Sequence, residues 1–235
     1  PLEVCLCEDC RISQLTYTVP PDVLYQHDYP YESSITRAGR AHFLDLASSV
    51  VSRFNLGPES LAIDIGSNVG ILLEGFKING CRSLGIEPSA NIAATAISRK
   101  IETINDFIGT KLASDIVSRY GKASAITATN VFAHIEDLPI LLENLSSLIG
   151  DSTTLVIENH YLGAILNRNQ FDTFYHEHPR TYSLKSFQHV ATSLGLIITN
   201  VEFPSRYGGN IRVTMRKFGK EADLSQYSAQ EEGFI

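Results

Sequence analysis

The chain has 235 residues, 43% apolar and 19% charged, so it can bury a core and is not a disordered composition. Its 26 acidic and 19 basic residues give a formal charge of −7, which argues against nucleic acid or an anionic membrane as a general partner, since both need clustered positive charge. No apolar run nears the ~20 residues of a membrane span, and four cysteines do not make a disulfide scaffold at this length, so reduced thiols and a cytoplasmic location are expected.

The chain opens on Pro1 and stops at Ile235 after a polar run, and both ends are expected to be cut. Residues 1–36 read as irregular. Cys5, Cys7 and Cys10 fall within six positions, Pro20-Pro21 follows, and Tyr25, Tyr29 and Tyr31 form an aromatic patch. Phe43, Leu44, Ala47, Val50, Val51 and Phe54 are spaced for a helix over 38–54, which Gly57-Pro58 ends. Strands and helices then alternate. Strands are expected over 61–65, 83–87, 101–104, 123–129 and 153–158, with helices over 71–78, 90–99, 112–120 and 138–149 between them. A polar, aromatic segment, 161–182, interrupts the pattern. A helix over 183–194 stops at Gly195, and strands over 196–203 and 210–216 are close enough to pair antiparallel. Such alternation predicts an α/β fold with a mostly parallel sheet covered on both faces.

Asp64-Ile65-Gly66-Ser67-Asn68-Val69-Gly70 joins the first of these strands to its helix. Gly66 permits a tight turn and Gly70 a close approach. Asp64 sets a carboxylate at the carboxyl edge of the strand, where open α/β sheets bind ligands. The run lacks the first glycine of G-x-G-x-x-G and has no Gly-Lys-Ser/Thr, so it is neither a dinucleotide fingerprint nor a P-loop. Glu87 ends the second strand, where an acid can accept both ribose hydroxyls, and Asn105-Asp106-Phe107 follows the third. The plainer alternative makes Asp64 a helix-start acid and Glu87 a solvated one; three matching positions at three successive strand ends weigh against it.

An acid followed by G-x-x-x-G resembles motif I of S-adenosyl-L-methionine-dependent methyltransferases. That resemblance implies the class I Rossmann-like fold, a seven-stranded mostly parallel sheet with a terminal antiparallel hairpin, and S-adenosyl-L-methionine as cofactor. It implies that Asp64, Gly66, Ser67, Asn68 and Gly70 hold the amino-acid end and ribose side of the cofactor. Glu87 would take the ribose, Asp106 the adenine amino group and Phe107 the adenine ring, with Asn130 completing the set.

Four further segments narrow the resemblance: Tyr29-Pro30-Tyr31-Glu32-Ser33-Ser34, Asn130-Val131-Phe132-Ala133-His134-Ile135, Glu158-Asn159-His160-Tyr161-Leu162, and Phe171-Asp172-Thr173-Phe174-Tyr175-His176-Glu177-His178. With Gly208-Gly209 they are similar to the sugar C-methyltransferase family, from about Leu6 to Arg216. Members methylate a carbon of a nucleotide-bound 4-keto-6-deoxy sugar, which is the partner implied here, with no nucleic acid and no membrane. The family's organisation implies a remnant of a zinc-binding module and a substrate-side arm over 1–36, a methyltransferase domain over 37–217, and a linker over 218–235 toward a C-terminal domain. Cys7 and Cys10 match one of the module's two cysteine pairs. Two thiolates are half of a structural zinc site, so zinc is expected in a full-length protein and not in this chain. Members usually read His-Gly-Gly-Ser where this chain reads Tyr207-Gly208-Gly209-Asn210, which puts the sugar contact there in question.

Carbon becomes a nucleophile when a base removes the proton beside a ketone and leaves an enolate. An imidazole can accept that proton near pH 7, and the resemblance assigns the base to His178. Glu177 and Tyr175 would orient it or donate hydrogen bonds. His134, after the fourth strand, could polarise the ketone oxygen, and Tyr29 matches a pocket position. His176 reads as structural, His160 and His189 as surface or internally satisfied histidines, and His27 and His42 carry no signal. The Tyr175–His178 run has a metal-ligand alternative, although adjacent side chains diverge on a helix or strand. Arg168, Arg180, Lys185, Arg206 and Arg212 could meet a diphosphate or be solvated surface charges, the solvated reading being preferred for most. An O- or N-methyltransferase of another small molecule, or a non-catalytic cofactor-binding fragment, remain alternative functions.

Overall fold

The computed structural model describes residues 2–25, 29–30, 32 and 36–233; His27, Tyr31, Ser33 and Ser34, named above, lie outside the described residues. In chain order the elements are β1 (Val4–Leu6), β2 (Ser13–Leu15), α1 (Pro21–Tyr25), α2 (Arg37–Phe54), β3 (Leu61–Ile65), α3 (Ile71–Ile78), β4 (Arg82–Ile86), α4 (Ala90–Ser98), β5 (Thr103–Ile104), α5 (Thr110–Tyr120), β6 (Ala123–Thr129), α6 (Leu138–Leu148), β7 (Ile149–His160), α7 (Leu162–Arg168), β8 (Arg180–Thr181), α8 (Leu184–Ser193), β9 (Ile197–Glu202), β10 (Asn210–Arg216) and α9 (Ser225–Glu232). Seven strands form one sheet in the order β5-β4-β3-β6-β7-β10-β9. β4 runs parallel to β3 and β5, β6 runs parallel to β3, and β10 is antiparallel to β7 and β9. This is the α/β class I methyltransferase fold with its terminal antiparallel hairpin.

The chain divides into two compact units. One comprises residues 21–128 and 143–154. All five residues of β3, Asp64 included, are buried, as a strand covered on both faces requires. The turn after β3 relies on glycine. Gly70 caps α3 at φ +79°, and a Cβ there would stand 2.9 Å from Ile101 Cγ2. Gly70→Ala combines a left-handed backbone with a clash against a buried side chain and should cost about 1–3 kcal/mol. A chain of this size then loses about 2–4 °C of melting temperature per kcal/mol. A calorimetric midpoint within 1 °C of the parent would refute this account of the turn.

The other unit comprises residues 1–20, 129–142 and 155–235. Tyr182 and Phe187 stack at 4.8 Å, Phe132 meets Tyr182 edge-on at 5.8 Å, and Tyr182 Oη donates to the Phe132 carbonyl at 3.2 Å, so the buried phenol is satisfied. Ser183 and Ser186 cap the start of α8 reciprocally, each hydroxyl accepting from the other's backbone N–H at 3.0 and 2.9 Å.

Several stretches differ from the sequence reading. Residues 1–36 include a hairpin of β1 and β2, with Val4 opposite Leu15, and β8 extends it to a three-stranded sheet. Residues 161–182 hold α7 and β8. β7 is longer at both ends than the expected 153–158 strand: it takes in Ile149, expected as the end of a helix, with Gly150-Asp151-Ser152, and runs on through Asn159 to His160. Residues 218–235, expected as a linker, include α9, whose Glu231 is buried and accepts from the Leu184 and Lys185 amides. Those amides open α8 and have no acceptor within their own helix, and a carboxylate there also meets the positive end of the helix dipole.

Candidate active site

The glycine turn belongs to the first unit. Gly66 N and Ser67 N both donate to the Ile86 carbonyl, at 2.8 and 3.1 Å, tying the turn to the end of β4. Asp64 is 2% exposed and accepts from Thr127 Oγ1 at 2.6 Å. Burial pushes its carboxyl up to about 7; the Thr127 bond opposes this and the Glu87 charge adds to it. Glu87 is also buried, and burial raises it above the ordinary glutamate range. Its two oxygens accept from Ser89 N at 2.8 Å and Asn68 N at 2.9 Å, which act in the opposite direction. Asn68 stands at φ +50°, a left-handed conformation that asparagine tolerates. The Ser67 hydroxyl is buried with no hydrogen-bond partner among the described residues. Glycine at position 85 makes room for it, since a Cβ there would lie 2.5 Å from Ser67 Oγ.

This donor and acceptor set fits S-adenosyl-L-methionine. The cofactor's ammonium and ribose hydroxyls are donors, and Asp64 and Glu87 are buried carboxylates with lone pairs beyond those already used. Asp106 is exposed and accepts from the following Phe107 amide at 2.8 Å; Phe107 is half-buried. The sequence reading named Asn105 beside Asp106 and Phe107 but gave it no role. Its Nδ2 donates to the Glu87 and Pro88 carbonyls, both at 2.9 Å, and so links the turn after β5 to the turn after β4. Tyr29 is in the same unit. Its carbonyl accepts from Asn91 Nδ2 at 2.9 Å, and its ring meets Tyr25 edge-on at 5.5 Å.

The histidines belong to the second unit. Asn130 stands at φ +55°; its amide donates to the Glu158 carbonyl at 2.7 Å, and its side-chain oxygen lies 3.4 Å from Asn210 Nδ2. His178 is 8% exposed and its Nδ1 lies 2.9 Å from the Thr173 carbonyl. A carbonyl can only accept, so Nδ1 carries the proton and the neutral ring keeps its lone pair on Nε2, 3.4 Å from Tyr175 Oη. Burial lowers the pKa of His178, with the Thr173 bond acting against it. Three rings surround it: His134 at 4.9 Å, His160 at 4.8 Å and Tyr175 at 4.4 Å. Burial, then the His178 charge, lowers His134 to about 3 and His160 to about 4. Burial and then Glu177 push the Tyr175 phenol up to about 12.

His160 was read as a surface or satisfied histidine and instead joins this cluster. His176 is exposed, as is His189. The five candidate cations divide. Arg168 and Lys185 are exposed. Arg206 lies over the Tyr207 ring at 4.6 Å and donates to its hydroxyl at 2.6 Å. Arg180 donates to the Ile135 and Glu136 carbonyls, and Arg212 pairs with the buried Glu158, so neither is a solvated charge.

Cys7 and Cys10 flank the turn of the β1–β2 hairpin. Backbone hydrogen bonds, from Cys10 first and then Asp9, lower the Cys7 thiol, and burial raises that of Cys10. Among the described residues no three His, Cys, Asp or Glu side chains are grouped to hold a metal ion. The cysteine pair therefore does not fit a four-ligand zinc site, and the metal alternative for Tyr175–His178 finds no ligand group. Among the same residues no helix is long and apolar enough to cross a membrane.

A family model described as a methyltransferase domain matches residues 40–201. The chain belongs to the methyltransferase domain family. It is 34% identical over 213 residues to the C-methyltransferase NovU of Streptomyces niveus, across 91% of this chain and 50% of that protein. It is 29% identical over 126 residues to a ubiquinone biosynthesis O-methyltransferase of Rhodopseudomonas palustris, across 50% of this chain and 47% of that one. The chain thus spans about half the length of these curated relatives. Among solved structures, the magnesium protoporphyrin IX methyltransferase of Synechocystis PCC 6803 with bound SAH superimposes at a TM-score of 0.58 and 16% identity, covering 79% of this chain and 90% of that one. An S-adenosylmethionine-dependent methyltransferase of Clostridium acetobutylicum superimposes at 0.59 and 12% identity, covering 77% and 92%. At these identities the likeness concerns the fold of the methyltransferase domain.

Proposed function

We propose that this methyltransferase domain is a C-methyltransferase acting on the carbon beside the keto group of a nucleotide-linked 4-keto-6-deoxy sugar. The observation that carries the reading is His178, a buried neutral imidazole whose proton is fixed on Nδ1 by a main-chain carbonyl and whose Nε2 is a base. A carbon acid needs such a base more than a hydroxyl does. The 34% identity to a protein named as a C-methyltransferase supports the same class.

When bound, S-adenosyl-L-methionine supplies an electrophilic methyl group on a sulfonium. Asp64 and Glu87 would hold its amino-acid end and ribose, with Gly66, Ser67, Asn68 and Gly70 shaping the turn and Asp106 and Phe107 meeting the adenine. His178 takes the proton from the carbon next to the ketone, and that electron pair forms the enolate. Tyr175 and Glu177 keep the imidazole oriented, and Tyr29 belongs to the sugar's pocket.

The test is incubation of the protein with methyl-labelled S-adenosylmethionine and a panel of nucleoside-diphosphate 4-keto-6-deoxyhexoses, with products read by NMR. A new carbon-bound methyl next to the ketone is expected. Label on oxygen or nitrogen would favour the alternative class of methyltransferase. Binding of S-adenosylhomocysteine with no transfer to any substrate would favour a non-catalytic module.

A further inference from the structure

Proton removal beside a ketone leaves negative charge on the carbonyl oxygen, and a hydrogen-bond donor must meet it. His134 was expected to do this. Its backbone partner Glu177 favours the protonated ring, so that partner is an accepting carbonyl, and the neutral ring spends its one N–H there. His134 then has only a lone pair to offer. The donor has to come from elsewhere in the cluster.

His160 meets the requirement. It is the last residue of β7, directly across from Asn210 on β10, so a regular ladder fixes its position. Its ring lies 4.8 Å from His178 and 5.5 Å from Tyr207. Nδ1 is buried without a hydrogen-bond partner, and no protein group bonds Nε2 among the described residues. Burial keeps the ring neutral near pH 7. A neutral imidazole N–H can polarise a carbonyl without surrendering its proton.

We propose that His160 is a catalytic residue whose Nε2–H donates to the ketone oxygen of the substrate while His178 takes the proton from the neighbouring carbon. In that step the C–H bond breaks and its proton goes to His178 Nε2. The C–H electron pair becomes the carbon–carbon double bond, and the carbonyl π pair moves onto oxygen, where His160 holds it by a hydrogen bond with no proton transferred. The assignment rests on the reading under Proposed function and adds the group that stabilises the enolate.

Exchange of the substrate proton for deuterium tests it, because exchange reports enolate formation without methyl transfer. The protein, with S-adenosylhomocysteine bound, is incubated in D2O with a nucleoside-diphosphate 4-keto-6-deoxyhexose and followed by proton NMR. His160→Phe should slow exchange about 10²–10³-fold, the cost of one lost oxyanion donor. His160→Gln, which restores an N–H, should recover part of that loss, and both variants should bind S-adenosylhomocysteine as the parent does. Should His160→Phe fail to fold, the parent decides: its His160 Nε2–H resonance should move downfield when the keto sugar is added. Exchange by His160→Phe at the parent rate, a glutamine variant no faster than the phenylalanine one, or an unmoved resonance would overturn the assignment and leave the proposed reaction standing. A parent that exchanges no keto sugar would overturn both.

Discussion

His178→Ala should lower kcat for methyl transfer by about 10²–10⁴-fold, the range that positioned general bases contribute, and leave cofactor affinity unchanged. Asp64, Glu87 and the glycine turn lie in the other compact unit, where their hydrogen bonds run to Thr127, Ser89, Asn68 and Ile86. Calorimetry with S-adenosylhomocysteine separates the two effects. The loss should appear in kcat, with the cofactor's Kd moving less than about threefold, since only a group that acts in the transition state changes the chemical step alone. Thr173→Ala should do little, because its main-chain carbonyl, which any residue supplies, holds His178 Nδ1. The pH profile carries a sign. His178 works as a base when neutral, and burial sets its pKa below the ordinary 6.5. With cofactor saturating, so that Asp64 is held ionised by the ammonium it binds, kcat/KM of the parent for the sugar should therefore be level through neutrality and fall only as the pH drops below about 6.5. An alanine variant with normal turnover, or a parent already losing activity between pH 8 and 7, would exclude His178 as the base.

The strand that carries the glycine turn was legible because a parallel strand buried on both faces is almost wholly apolar, and in Leu61–Ile65 Asp64 alone departs from that pattern. The turn was legible because its glycines answer a local demand that a single stretch of sequence states. The histidine cluster was legible only where the resemblance gave its members a role, although the Glu158-Asn159-His160 segment was itself part of that resemblance. His134 and His178 were expected together. His160 was not, because what brings it there is the register of β7 with β10, a tertiary fact that spacing does not encode. The same holds for α9. Its composition is polar, and its anchorage comes from the Glu231 carboxylate on the first amides of α8, with the Tyr227 and Tyr161 rings both tilted against the Phe203 ring. Polar residues that bury by pairing look solvated until their partners are known, and Arg212, left open between a diphosphate contact and a solvated charge, is such a residue.

Arg212→Leu should remove about 3–5 kcal/mol of stability, a large part of the ~5–15 kcal/mol that holds a typical domain together. Arg212 Nε and Nη2 both bond Glu158 Oε2, at 2.8 and 2.7 Å, where the Glu158 side chain is 1% exposed and that of Arg212 14%. Asn210 Nδ2 serves the other Glu158 oxygen at 2.9 Å. Without the guanidinium, the buried carboxylate loses both bonds at Oε2 and the charge that pairs it there, and the penalty is that of a buried ion deprived of its partner. Glu202, which meets Arg212 Nη1 at 2.9 Å, has a side chain 45% exposed, so Glu202→Ala should cost no more than about 1 kcal/mol. The double variant Glu158→Leu/Arg212→Leu removes both charges and should recover most of the single loss. Urea unfolding of the three variants separates the cases through their midpoints. A single Arg212→Leu within about 1 kcal/mol of the parent, or a double variant worse than the single, would show that the pair is not what secures this strand. The effect should also reach the histidines. Glu158 precedes His160 by two positions on one strand face, and its carbonyl holds the Asn130 amide, so disorder at the pair loosens the end of β7 and the chain leading to His134 together. Folded Arg212→Leu should therefore lose methyl transfer beyond its unfolded fraction, whereas Glu202→Ala should not.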